Sequence, residues 1–208
     1  MVVKNIWLHF RKIQTHRKWV RHYCFILKLY KQGLFHDLSK YSPTEFFESV
    51  KYYQGTSSPI DASKKANGYS MAWFHHRGRN LHHYENWQDD FDHGGRAILM
   101  PYKYWAEMMC DYLAAGRAYN GTSFTYKQEL DWWMKKKNSC AMHFANKQMT
   151  TYLFSSLAET EQKYSREAAD KLFTAETLQY IYKKELKTLS SFSQLYIYNM
   201  LILCFFFF

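Results

Sequence analysis

Apolar residues recur at three- and four-residue steps along most of the chain, beginning with Ile13, Val20, Tyr23 and Leu27, and His16 falls on the same stripe. This spacing predicts a helix running roughly from Ile6 to Lys31 with His16 on its inward face. His22 is rotated off that stripe, whereas His9, two turns before His16, shares it. Gly33 then interrupts the pattern. Ser42-Pro43-Thr44-Glu45 combines an N-cap serine, a first-turn proline and a capping-box glutamate, which predicts a helix start carrying Phe46, Phe47 and Val50 inward.

From residue 54 to 68 the pattern is lost. That stretch is polar, with Gly55, Pro59 and Gly68 as breakers, and reads as a loop of the length that often forms a lid. Tyr69, Trp73 and His76 then share one face of a short helix ending near Gly78, and Pro101 opens another helix through Ala115. On the latter, Tyr104, Met108, Asp111 and Ala115 share a face, so Asp111 points into apolar surroundings. An inward aspartate is costly unless it is paired or bound to metal. Further helices are predicted over Thr125 to Lys137, Ala141 to Leu157 and Arg166 to Leu186, with no strand-like alternation and no internal repeat. The fold class is therefore all-α, a helical bundle. Its organisation is a core over residues 1–121, additional helices packing on it over 122–194, and an apolar tail over 195–208. The tail ends in Phe205-Phe206-Phe207-Phe208 and is shorter than the roughly 20 residues a confident membrane span needs.

Composition narrows the class. A chain of 208 residues holds one domain of ordinary size, and an apolar fraction of 47% with 20% aromatics excludes disorder for most of it. Cys24, Cys110, Cys140 and Cys204 are widely spaced with no CxxC pair, which argues against a disulfide framework or a cysteine-based zinc knuckle. That cysteine usage, with no secretory signal at Met1-Val2-Val3-Lys4-Asn5, points to the cytoplasm. The net charge of +10 is concentrated early, because Lys4, Arg11, Lys12, Arg17, Lys18, Arg21, Lys28 and Lys31 all precede Asp37, the first acidic residue. Such a face attracts the phosphates of a nucleotide, a nucleic acid or an anionic membrane; the plainer explanation is a solvated helix face. Trp73, Trp87, Trp105, Trp132 and Trp133 serve core packing more often than base stacking. No GxGxxG, GxxxxGK[ST] or GxSxG motif is present, so nucleotide-cofactor and serine-hydrolase chemistry have no support.

The candidate chemistry lies in histidines and aspartates. His36-Asp37 offers one metal an imidazole and a carboxylate from a single short segment, and further candidate ligands flank it: His16 upstream, the run from His75 through His76, His82 and His83 downstream, and Asp111 beyond. An HD dipeptide alone occurs by chance, and the run from His75 to His83 has the alternative of an exposed surface loop. That alternative is weak, because the run follows an aromatic helix and lies between Trp73 and Trp87.

The order Thr15-His16-Arg17-Lys18-Trp19-Val20, then His36-Asp37-Leu38-Ser39-Lys40, then Asp111 resembles the H…HD…D order of the HD-domain metal-dependent phosphohydrolase superfamily. More closely, HDLSKYSPTEF, AWFHHRGRNLHHYENW and MPYKYWAEMMCDYLAA resemble an HD-related family of bacteria and their phages that brings no known activity. The resemblance covers roughly Ile13 to Tyr119. It implies His16, His36, Asp37 and Asp111 as metal ligands, with His76 and either His82 or His83 as the two inserted histidines of two-metal members and Asp37 as the bridge. His76 is favoured over His75 by its stripe, and His82 narrowly over His83. The cofactor would be one or two divalent transition-metal ions: manganese, iron, zinc, cobalt or nickel. Lys40 follows the HD pair where the superfamily commonly contacts substrate phosphate, and Arg77, Arg79, Asn80 and His83 are further substrate contacts.

The expected function is metal-dependent hydrolysis of a nucleotide or another small phosphoester, with Asp37 and Lys40 in the catalytic machinery. Two alternatives belong to other classes. The superfamily includes di-iron oxygenases that use the same ligand order, and the basic N-terminal helix with many tyrosines suits a metal-stabilised nucleic-acid-binding protein.

Overall fold

In the computed structural model, ten α-helices and one small β-ladder are found among the described residues, and 75% of the chain is helical, so the fold is all-α. The structure describes residues 2–89 and 91–206, the side chains of Val2, Phe91 and 192–206 excepted. The apolar tail over 195–208 therefore lies outside the residues whose side chains are described.

Helix α1 (Val2–Ile26) buries Ile13, His16, Val20 and Tyr23 of the predicted stripe, with Leu27 buried just past its end and Cys24 buried beside the stripe, and leaves His22 exposed. It stops earlier than the spacing predicts. Lys28 takes a left-handed φ of 61°, which ends the helix, and a second helix, α2 (Tyr30–Phe35), begins after it. Gly33 is not the break but lies inside α2, where a Cβ would meet the Cβ of Cys24 at 2.9 Å. Its missing side chain lets α2 lie against α1.

Helix α3 (Pro43–Lys51) starts where predicted, with the Ser42 hydroxyl accepting from the Glu45 amide. The Glu45 side chain does not close a capping box; it is buried and turned inward, while Phe47 is exposed. The predicted loop over 54–68 also needs correction, because α4 (Pro59–Asn67) lies within it. Ser58 caps its start, Pro59 occupies the first turn and Gly68 ends it at a φ of 81°. Those breakers are helix punctuation rather than loop composition. Helix α5 (Met71–Arg77) is capped by Ser70 and ends at Gly78, with Tyr69 outside it and exposed. A two-residue antiparallel ladder pairs β1 (Gln88–Asp89) with β2 (Arg96–Ala97), too short to leave an alternating pattern in the sequence.

Helix α6 (Tyr102–Asn120) is the central helix, buried on most of its faces and packed along α1. The helices α7 (Tyr126–Lys136), α8 (Phe144–Lys163), α9 (Arg166–Leu172) and α10 (Ala175–Phe206) follow, so the predicted helix over Arg166 to Leu186 is two helices, separated at Phe173 and Thr174. One contiguous buried cluster runs from Val20 through Trp105, Met108, Trp133 and Phe154 to Ile181. Each large side chain fully buried there stabilises the fold by roughly 1.5–3 kcal/mol. No helix among the described residues is long and apolar enough to cross a membrane.

Candidate metal centre

Between α2 and α3 the chain makes a tight turn through His36 and Asp37 into a single 3-10 turn, Leu38–Tyr41. Asp37 is left-handed, at φ 54° and ψ 28°. This conformation costs a non-glycine residue roughly 1–2 kcal/mol, and aspartate is among the residues that tolerate it. Arg17, next to His16 on α1, holds the turn in place: its Nε donates to the His36 carbonyl at 2.9 Å, its Nη2 donates to the Leu34 carbonyl at 2.9 Å, and its guanidinium lies 5.4 Å from the Tyr41 ring. One helix thus carries a ligand and fixes the backbone that carries two more.

Asp37 is the centre of the cluster. Its Oδ2 lies 3.4 Å from His16 Nε2 and 3.3 Å from His36 Nε2, while Asp111 Oδ1 lies 3.1 and 3.4 Å from the same two nitrogens. Its Oδ1 lies 3.3 Å from His76 Nε2 and 3.6 Å from His82 Nε2. Three groups with metal-ligand spacing result, the donor atoms of each within 4.8 Å of one another; two of them share Asp37, namely His16, His36, Asp37 and Asp111 on one side and Asp37, His76, His82 and His83 on the other, and the third is His36, His82 and Glu107. Buried His/Asp clusters at ligand distance can therefore hold a metal ion. The doublets separate differently. His75 turns away, with its Nδ1 2.5 Å from Glu45 Oε1, whereas His82 and His83 both join the second group.

The donor atoms converge on space rather than on each other. Nε2 of His16, His36, His82 and His83 and Oδ1 of Asp37 are buried without a hydrogen-bond partner, although several lie within 3.6 Å of one another, and Asp37 Oδ2 has the Lys40 ammonium beside it as an ion pair. Proximity without hydrogen-bond direction is the arrangement of ligands around a shared cation. Each such orphan costs about 1–3 kcal/mol if nothing binds it. On three of the imidazoles the opposite ring nitrogen is paired: His36 Nδ1 lies 2.9 Å and His82 Nδ1 3.3 Å from Glu107 Oε1, and His76 Nδ1 lies 2.8 Å from Glu45 Oε2. A carboxylate on Nδ1 keeps the proton there and turns the Nε2 lone pair inward.

Electrostatics follow the same geometry. Burial would raise the Asp37 carboxyl, but His36, Lys40 and His76 outweigh it and hold the group well below its ordinary range; Lys40 Nζ lies 2.6 Å from Oδ2. Asp111 is likewise held low, against burial, by His16, His36 and His82. Burial opposes the charging of His36 too, yet Asp37, Asp111 and Glu107 together lift it well above the ordinary histidine value. His83 is pushed well below that value by burial and by the charges of His82 and His76, which keeps it in the neutral form a ligand needs.

A cavity of about 200 Å³ opens onto the cluster, with His16, His76, His83 and Asp111 at its inner end. It is many times larger than the roughly 10–15 Å³ that one water needs, which leaves room for a small organic molecule. Lys40 and Trp73 line it. Arg77 and Arg79 do not: Arg77 stacks on Phe74, and Arg79 is exposed, its Nη1 donating to the His75 carbonyl. Asn80 is a brace, its Nδ2 donating to Ser39 Oγ at 2.9 Å and to the His76 carbonyl at 2.7 Å. Asp111 does not point into apolar surroundings, because the face it shares with Met108 is also where His16 and His36 meet it. The sequence offers Glu45 only as a capping residue and Glu107 in no role, although Glu107 stands one turn before Asp111 on the same face of α6. His9 and Lys12 also line the cavity.

No curated protein and no solved structure matches the chain. A family model does, over residues 5–160, which span every candidate ligand from His16 to Asp111 and three quarters of the sequence. The chain accordingly belongs to DUF5662, described as a family of unknown function.

Proposed function

We propose that this protein is a metal-dependent phosphohydrolase of the HD-domain type, acting on a nucleotide or another small phosphoester. The observation that carries the reading is the Asp37 carboxylate shared between two sets of unpartnered imidazoles. The donor set fits divalent ions of the manganese, iron, zinc, cobalt or nickel kind, being imidazole nitrogen and carboxylate oxygen without thiolate. Asp37, Asp111, Glu45 and Glu107 also concentrate negative charge in a buried place where Lys40 is the near cation, which favours divalent cations further.

When bound, one or two such ions lower the pKa of water and neutralise charge on phosphoryl oxygens. The remaining work belongs to the chain. Asp37 ties the two ligand sets together, and Glu107 and Glu45 hold the imidazoles in the tautomer that faces the centre. Lys40, paired with Asp37 and lining the cavity, would receive a phosphoryl oxygen. The apolar wall of Ile13, Ile60 and Ala115 excludes bulk water and strengthens these contacts.

The test is the metal content of purified protein by elemental mass spectrometry beside that of Asp37→Ala, followed by a phosphoester screen with the metal found. One or two equivalents of manganese, zinc, cobalt or nickel, lost in the variant, with turnover of a phosphoester, is the expected result. No metal bound and none taken up on reconstitution overturns the reading. A di-iron oxygenase is the second reading, favoured by the three imidazoles of the second set; about two equivalents of iron and consumption of dioxygen would establish it instead. A nucleic-acid interface on α1 is weaker, because Arg17 is engaged with the His36 turn and Lys12 faces the cavity.

A further inference from the structure

The outer end of the cavity has polar groups that the ligand cluster does not use. His9, Lys12, Ile13 and His16 stand at i, i+3, i+4 and i+7 on α1, all lining the cavity, so His9 lies about 10 Å and Lys12 about 6 Å along the helix axis from His16. His9 is 7% exposed, packed against the rings of Phe46 and Tyr53, and its Nδ1 is buried without a hydrogen-bond partner. An unpaired imidazole nitrogen in such a place costs free energy unless a ligand meets it.

Lys12 is unusual in another way. Its ammonium is held by the Ala118 carbonyl at 2.9 Å and lies 4.6 Å from the centre of the Tyr119 ring. Among the described residues no carboxylate pairs with it, whereas Lys40 is committed to Asp37. A carbonyl and an aromatic face orient an ammonium without neutralising it, so its charge stays available to the cavity. Burial, and after it the Lys40 charge, depress His9 to a pKa of about 4, so His9 is neutral and can donate an N–H to an anion held by Lys12.

We infer that His9 and Lys12 form a second anion seat at the outer end of the cavity. The ligand then carries two anionic groups, a phosphoryl group at the metal-ligand cluster and a further phosphate or carboxylate about 6–10 Å along α1. This inference rests on the phosphohydrolase reading for the inner end and adds the substrate class: small molecules with two separated anions, rather than simple monophosphates.

Isothermal titration of the manganese-reconstituted full chain with three ligand series tests it: alkylphosphonates, α,ω-alkylene bisphosphonates and ω-phosphonocarboxylates of graded length. The expected result is that at one chain length a doubly anionic ligand binds at least about tenfold tighter than the monophosphonate, the gain of one charge-assisted contact. Whichever doubly anionic series wins identifies the second group as phosphate or carboxylate. In Lys12→Met that gain disappears while monophosphonate affinity is retained, and Lys12→Gln serves as a second variant should the first fold poorly. Equal affinity for singly and doubly anionic ligands, or a gain that survives both variants, overturns the second seat and leaves the phosphohydrolase reading standing. Failure of every phosphonate to bind the metal-loaded protein overturns both.

Discussion

Two buried polar clusters lie on α6 less than two turns apart along the chain, and they are finished in opposite ways. Around Arg117 everything is paired: its Nε donates to the Tyr23 hydroxyl at 2.9 Å, its Nη2 to Asp170 at 2.7 Å, the Tyr126 hydroxyl donates to the same carboxylate, and the guanidinium lies 4.4 Å from the Phe124 ring. Around Asp111, the Nε2 atoms of His16, His36, His82 and His83 and Oδ1 of Asp37 are left without hydrogen-bond partners, while the Nδ1 atoms of His36, His76 and His82 lie on carboxylates. A closed network specifies how α1, α6, α7 and α9 meet. An open one, fully braced from behind, is built for something that arrives later. Buried polar groups of the same kinds thus serve structure or chemistry according to whether their inner atoms are satisfied.

The largest effect is expected from breaking the open cluster. Metal at about a thousand times its dissociation constant should stabilise the wild-type fold by about 4 kcal/mol, or roughly 10 °C in a chain of this size, and Asp37→Ala should lose both that increment and the bound metal. Differential scanning fluorimetry with elemental analysis reads both; a full metal-dependent shift in the variant would contradict the shared-carboxylate geometry. Breaking the closed cluster should do the reverse. Arg117→Met removes the buried guanidinium and its bonds to the Tyr23 hydroxyl and the half-exposed Asp170, and should cost about 1–3 kcal/mol in urea denaturation while metal stoichiometry is unchanged. Loss of metal there would mean that the two clusters are one.

A smaller effect sharpens the comparison. Glu107→Gln keeps the shape but weakens the grip on the Nδ1 protons of His36 and His82, so metal affinity measured by competition with a chelator should fall about 10–100-fold. Because those histidines belong to different ligand sets, both binding steps should weaken. The smallest effect, taken per pH unit, concerns Glu129, buried on α7 against Gly116, where a Cβ at Gly116 would meet its carboxylate. Burial raises its pKa from 4.5 to about 8. The folded state therefore holds a proton that the unfolded chain releases, and the stability present below pH 4.5 is lost as pH rises toward 8, at no more than about 1.4 kcal/mol per pH unit. Urea midpoints across that window should fall in the wild type relative to Glu129→Gln; parallel curves would show that the carboxylate finds a partner.

Much of this was legible in one dimension. The stripe through His16, the Ser42-Pro43 start of α3 and the Thr125 cap of α7 are local signals, and each produced the element it predicts. Local signals also misled where tertiary contact overrode them. Gly33 reads as a break yet serves a close approach to Cys24, and Glu45 reads as a capping residue yet braces His75 and His76. Arg77 and Arg79 stand beside the right histidines in sequence, but helix and turn geometry carry them away from the cavity.

By itself the sequence determined the all-α class, since periodicity and caps act within a few residues, and it marked the histidines and aspartates whose chemistry suits a metal. Only the tertiary structure decided which of them meet. The assignment of His76 rather than His75, the joint presence of His82 and His83, and the roles of Glu45, Glu107, His9 and Lys12 depend on contacts between α1, α3, α5 and α6. Those contacts are set by how the helices pack across the core, and spacing along a single helix does not encode them.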